Sequence, residues 1–323
     1  MKNQVYIFVI LCLFSFSEKL YAITEKYTID DSNIGLFEHV AAYPEERNFQ
    51  LNIKDDITDL YIETELSNQL ISNLSNFFPD VTKIKFGEDA YMNDAKIILF
   101  AEQHFYFLMH LDFSKNVVGD EGAKAIATNF YRLISLDVSG NEIGDEGIKS
   151  IVENLEDLIF LDISGNNISD NGIENIADKL KKLVWLFIDQ NYISGKGAKS
   201  ISKLKNLTSL KISNNNIGNE GIRVIAKNAK KLTCLNASHN NISVWGAEII
   251  AKHLKDLKSL NICGNLIECE GVQAIFNHLK SLTCFAVFLS DIDLNLESRI
   301  LRSRDEVLEE LCTIYMNQQN NVS

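Results

Sequence analysis

The chain has 323 residues, a formal net charge of −13 and a hydrophobic content of 46%. That much apolar side chain can bury a core, which excludes general disorder, and the length suits about two ordinary domains or one continuous repeat array. No block of lysine or arginine interrupts the sequence, so the clustered cations that phosphate backbones require are missing and nucleic acid is not expected as a partner.

In chain order, the first predicted element is a signal peptide over residues 1–22. Lys2 precedes an apolar run from Val5 to Phe16; Ser17, Glu18 and Lys19 follow, and Leu20-Tyr21-Ala22 offers a cleavage site ending on a small residue. The run is shorter than the roughly 20 residues that cross a bilayer as a helix. No second run of spanning length follows, so no membrane partner is expected after cleavage. Residues 23–107 read as an N-terminal cap with degenerate repeats, in which Ile57-x-x-Leu60-x-Ile62 and Val81-x-x-Ile84-x-Phe86 keep strand spacing.

Seven copies of one pattern fill residues 108–285, as in Ser135-LDVSGNEIGDEG and Phe160-LDISGNNISDNG. Their asparagines are Asn116, Asn141, Asn166, Asn191, Asn215, Asn240 and Asn265, spaced 25, 25, 25, 24, 25 and 25 residues apart, and Gly122, Gly147, Gly172, Gly197, Gly221, Gly246 and Gly271 recur in step. Each position has a mechanical task. Leu136 and Val138 leave a short strand on the same side and enter the core. Asn141 sits at the following turn, where its amide can satisfy backbone groups that burial would otherwise leave unpaired. Asp145 is expected to cap the next helix, and Gly147 to let that helix pack closely. Ile148, Ile151, Val152 and Leu155 form the helix's inner face. One unit cannot bury its apolar side alone; stacked copies can.

The last expected strand is Leu282-x-x-Phe285-x-Val287. Residues 286–323 are assigned to a C-terminal cap helix and tail, with Ser303 and Glu306 as a capping box and Val307, Leu308, Leu311, Ile314 and Tyr315 on one face. Of the six cysteines, Cys12 leaves with the signal. Cys234 and Cys284 hold one repeat slot two strands apart, nearly ~10 Å, beyond the ~7 Å that a disulfide permits between Cα atoms. Reduced thiols are expected, which suits a bacterial exporter or a reducing destination.

The pattern L-x-x-L-x-(I/V/F)-S-x-N-x-I with its short helix resembles the leucine-rich-repeat family, particularly the ribonuclease-inhibitor-like branch. The resemblance covers about Leu108 to Phe285. It implies an α/β fold: a curved right-handed solenoid with parallel strands on its concave face and short helices on its convex face. The 24–25-residue period is shorter than the branch's usual unit, which shortens the helices.

Outward strand positions are free to vary, so departures from the repeat average carry information. Most repeats place small or polar residues there. The fourth places Trp185, Phe187, Asp189, Gln190 and Tyr192 around the retained core residues Leu186, Ile188 and Ile193. With Phe160 and Lys211 on adjacent strands, the acidic row Asp137 and Asp162, and Trp245 at a loop edge, these are the candidate partner-binding residues. The seven asparagines are assigned a structural ladder. No phosphate-binding, dinucleotide-binding, zinc-protease or serine-hydrolase motif occurs, and the six histidines show no ligand spacing. No enzyme activity, catalytic residue, cofactor or metal is therefore expected. The sequence reads as an exported, monomeric protein-interaction module, a bacterial effector or surface protein that binds a host protein through its concave face. Two alternatives stay open: a regulator of a small GTPase, resembling the Ran GTPase-activating protein, and a structural periplasmic or surface protein.

Overall fold

A computed structural model describes residues 26–29, 58–289 and 292–295. The signal segment 1–22, Cys312 and the helix expected from Ser303 to Tyr315 lie outside the described residues. The chain divides into two compact units, Met1–Leu158 and Ile159–Ser323.

The first unit holds five parallel strands, β1 (Lys26–Ile29), β2 (Asp59–Ile62), β3 (Lys83–Phe86), β4 (His110–Asp112) and β5 (Ser135–Asp137), each paired in register with the next. Helices follow the strands: α1 (Asn68–Ile71) and α2 (Leu74–Phe77), then α3 (Asp94–Ala101), α4 (Asp120–Asn129) and α5 (Asp145–Asn154). Leu111, Leu136 and Val138 are buried from the strand side and Ile148, Ile151, Val152 and Leu155 from the helix side. Where the regular repeats begin the core is aromatic. Phe86 stacks on Phe113 with centroids 4.6 Å apart, and Phe100 meets both rings edge-on at 5.1 and 5.6 Å.

The second unit holds β6 (Phe160–Asp162), β7 (Trp185–Phe187), β8 (Ser209–Lys211), β9 (Cys234–Asn236), β10 (Ser259–Asn261) and β11 (Cys284–Leu289), all parallel. Between them run α6 (Asp170–Lys179), α7 (Gly195–Ile201), α8 (Gly218–Asn228), α9 (Val244–His253) and α10 (Glu268–His278). Leu161, Leu186, Leu210, Leu235 and Leu260 form one buried row. β11 is not the last strand: β12 (Ile292–Asn295) pairs antiparallel with it through Ala286↔Asn295 to Leu289↔Ile292. A short return strand needs no crossover helix, so it leaves no period-3.6 signal to read.

Ladder amides join two repeats, as at Asn141 and Asn191. Asn141 Nδ2 donates to Val138 and Ser139 carbonyls in its own turn and to Phe113 in the preceding repeat at 2.9 Å, while its Oδ1 accepts from Val118 N–H. Asn191 repeats the set against Ile163 and Ile168. Backbone groups at a buried corner thus find partners that their own segment lacks.

The expected cap is corrected. Asp145 is the first residue of α5, and the cap position is Gly144. The equivalent Asp120 reaches forward instead: its Oδ1 accepts from Gly144 N–H at 2.7 Å and Gly147 N–H at 3.0 Å. An acid in the first turn of one helix therefore closes the start of the next. A Cβ at Gly147 would stand 2.6 Å from that oxygen and 2.7 Å from Ile143 Cγ2, so only glycine admits the contact.

Candidate partner-binding surface

Strand alternation sends Leu186 and Ile188 inward and leaves Trp185 and Phe187 on the outer face of β7. Trp185 is 42% exposed. In backbone register it lies between Phe160 and Ser209, and Phe187 between Asp162 and Lys211. The ring contact, however, is diagonal: Phe160 meets Phe187 edge-to-face, centroids 5.3 Å apart at 83°. Lys211 Nζ lies 4.0 Å from the centroid of the Phe187 ring. Phe187 is thus held from both sides by a quadrupole contact and a cation–π contact.

Two carboxylates border the rings. Asp162 accepts from Ser164 N–H at 2.9 Å. Asp189 accepts from Ser213 N–H and Oγ–H, tying the turn after β7 to the turn after β8. Burial raises both above the ordinary aspartate range, outweighing the serine hydrogen bonds and the attraction of Lys211; for Asp162, repulsion from Asp189 adds to the rise. The chemistry is an apolar platform with one cation and two partly desolvated acids, without a nucleophile paired to a base.

The other candidates are distributed. Gln190 is exposed in the turn after β7 with φ +53, and Tyr192, 71% exposed, stands beyond the ladder residue Asn191. Trp245, also 42% exposed, belongs to the first turn of α9 rather than the strand face. Asp137 lies in the first unit, where its Oδ1 accepts from Ser139 N–H and Oγ–H. Its neighbour Asp112 pairs with Lys85 at 2.6 Å. Burial pulls the Lys85 ammonium down, but the hydrogen bond and attraction of Asp112, with Asp137 behind it, prevail and raise it. Asn236 and Asn261 take the row's turn-closing bond with amide oxygens, so closing the turn does not require the row's charge.

Sequence reasoning missed a second aromatic group, at the loops following α3 and α4 in the first unit. Tyr106, Phe107 and Tyr131 are exposed, His104 stacks on Tyr106 at 5.7 Å, and His104, Tyr106, Tyr131 and Arg132 border a cleft of about 110 Å³. Its only sequence signal is large rings where the regular loops carry charge or leucine. Among the described residues no disulfide forms, no group of three or more acid, histidine or cysteine side chains could hold a metal ion, and no helix is long and apolar enough to cross a membrane.

The family described as "Leucine Rich repeat" matches residues 107–127, 133–152, 156–177 and 203–226. No curated protein matches the chain significantly. Among solved structures, an internalin from Listeria monocytogenes is similar at 22% identity and a TM-score of 0.50, over 69% of this chain and 70% of that one. That likeness concerns the fold, and it agrees with parallel strands alternating with helices at the repeat period. The chain is a leucine-rich-repeat protein with an α/β solenoid fold.

Proposed function

We propose that the chain is an exported protein-interaction module of the ribonuclease-inhibitor-like kind, made by a bacterium and directed at a host protein. One observation carries the interaction site: repeat four exposes Trp185 and fixes Phe187 between Phe160 and Lys211 in slots where most other repeats carry serine, aspartate or asparagine. Rings already held in place lose little freedom on binding, which is the property of hot-spot anchors. The apolar Val5–Phe16 run behind Lys2 supports export.

Site-directed photocrosslinking tests the site. A photoreactive phenylalanine at 187 in the full chain, irradiated with host-cell extract, is expected to yield a discrete adduct. The same group at the exposed helix position 199 is expected to yield none. Adducts from 199 alone, or none from 187, would contradict the assignment.

A further inference from the structure

The edge of the second unit where helices return to strands carries a field of lysines. The residue after the buried apolar side chain that closes each helix is lysine throughout: Lys181 after Leu180, Lys205 after Leu204, Lys230 after Ala229, Lys255 after Leu254 and Lys280 after Leu279. Each ammonium donates to a carbonyl at the end of its helix: Lys181 to Ala177, Lys205 to Ser202 at 2.7 Å, Lys230 to Ala226 at 3.0 Å, Lys255 to Ala251 at 2.7 Å and Lys280 to Phe276 at 3.2 Å. A helix C-terminus welcomes a cation. It does not demand one, since the first unit has Tyr131 after Phe130 and Glu156 after Leu155.

Further lysines flank this column. Segments 178–182, 203–205, 227–231, 252–258 and residue 280 together hold twelve lysines, all exposed, against Asp178 and Asp256. Lys203 engages Asp178 at 2.8 Å. Crowding is felt by the groups themselves: burial, then Lys227, lowers Lys230, and burial, then Lys230, Lys227, Lys252 and Lys255, lowers His253. In a chain of net charge −13 this edge reverses the prevailing sign.

We propose that this edge docks the protein onto a lipid bilayer carrying anionic headgroups. The proposal is independent of the strand-face site. All twelve cations are lysines, compact point charges without the planar fork that reads a phosphate bidentately. No phenylalanine, tyrosine or tryptophan is interleaved, so nucleic-acid bases find no stacking platform. The charges spread in columns across five repeats, a two-dimensional field suited to a plane of headgroups rather than to one polymer track. Their apolar neighbours are buried, so attachment is electrostatic and without insertion. Such docking has no need of the second spanning run whose absence argued against a membrane partner.

The test is co-sedimentation of the full chain with vesicles of phosphatidylcholine alone, or with about one third phosphatidylserine, at about 0.1 M and about 0.5 M salt. A variant with Lys227, Lys231, Lys252 and Lys258 all changed to glutamate spares the five lysines at helix ends, and its urea midpoint reports folding. The wild type is expected to pellet about tenfold more with acidic than with neutral vesicles at low salt. High salt should release it, and the variant should lose the difference. If the glutamate variant unfolds, glutamine at the same four positions serves with the same expectation. Equal recovery with both vesicle types, or a difference that persists in the folded variant, overturns the proposal. Tight capture of duplex DNA or polyglutamate without capture by vesicles also overturns it.

Discussion

Asp170 Oδ1 accepts a hydrogen bond from Gly197 N–H at 2.9 Å, across 27 residues of sequence. It takes another from Ser194 N–H at 2.8 Å, so the acid that begins α6 closes the start of α7. A methyl group at 197 would lie 2.5 Å from that oxygen. At Gly122, Gly147 and Gly197 the bare backbone admits the preceding repeat's acid, whereas Gly221 and Gly271 meet Ala198 and Ala247 instead. Asp170→Ala is expected to lower stability by about 0.5–2 kcal/mol, the usual worth of a helix cap. Asp170→Asn should cost less, because Asn219 already caps Ser243 through its amide oxygen at 2.9 Å. Equal urea midpoints for wild type and Asp170→Ala would show the contact to be idle.

The ladder is tested where burial is complete. Asn240 is fully buried and donates to Ile212 and Ser238 carbonyls while accepting from Ile217 N–H. Asn240→Ala strands groups on two repeats and is expected to cost about 1–3 kcal/mol in urea unfolding. A loss well below that range would mean that water reaches this corner.

Asp162 makes a pH-dependent prediction. Its folded pKa lies above the ordinary 3.8 because burial disfavours the carboxylate. A raised folded value means that the group's contribution is fully present below the unfolded pKa and is lost as pH rises through the folded one. Asp162→Asn keeps an amide oxygen for Ser164 N–H, as Asn236 does for Ser238. The variant should therefore gain stability relative to wild type as pH rises from about 4 toward neutrality. A relative stability that stays flat or falls over that interval would contradict the desolvated carboxylate.

What the sequence disclosed follows from how far apart the cooperating residues lie. Strands at Leu136 or Leu210 were legible because alternation, the turn asparagine and the helix face all fall within one 25-residue window. Asp145 was assigned to a local cap because the partners of this slot belong to the next repeat, as Gly144 and Gly147 do for the equivalent Asp120. The lysine column escaped notice because its members are 24–25 residues apart and form no run. At the candidate surface, Trp185 and Phe187 stood out against the repeat average. The diagonal pairing of Phe160 with Phe187, and Lys211 over that ring, depend on side-chain direction, which repeat spacing does not specify.

The central claim is that the strand face around Phe187 captures a protein. Its most direct measurement is the affinity of a crosslinked partner, once identified, for wild type and for Trp185→Ala/Phe187→Ala, with urea midpoints taken in parallel. Truncating two anchors is expected to cost about 2–4 kcal/mol, roughly 30-fold or more in Kd. The midpoint should move little, because Leu186 and Ile188 keep the core. Undiminished affinity in a folded double variant would contradict the account and turn attention to Trp245.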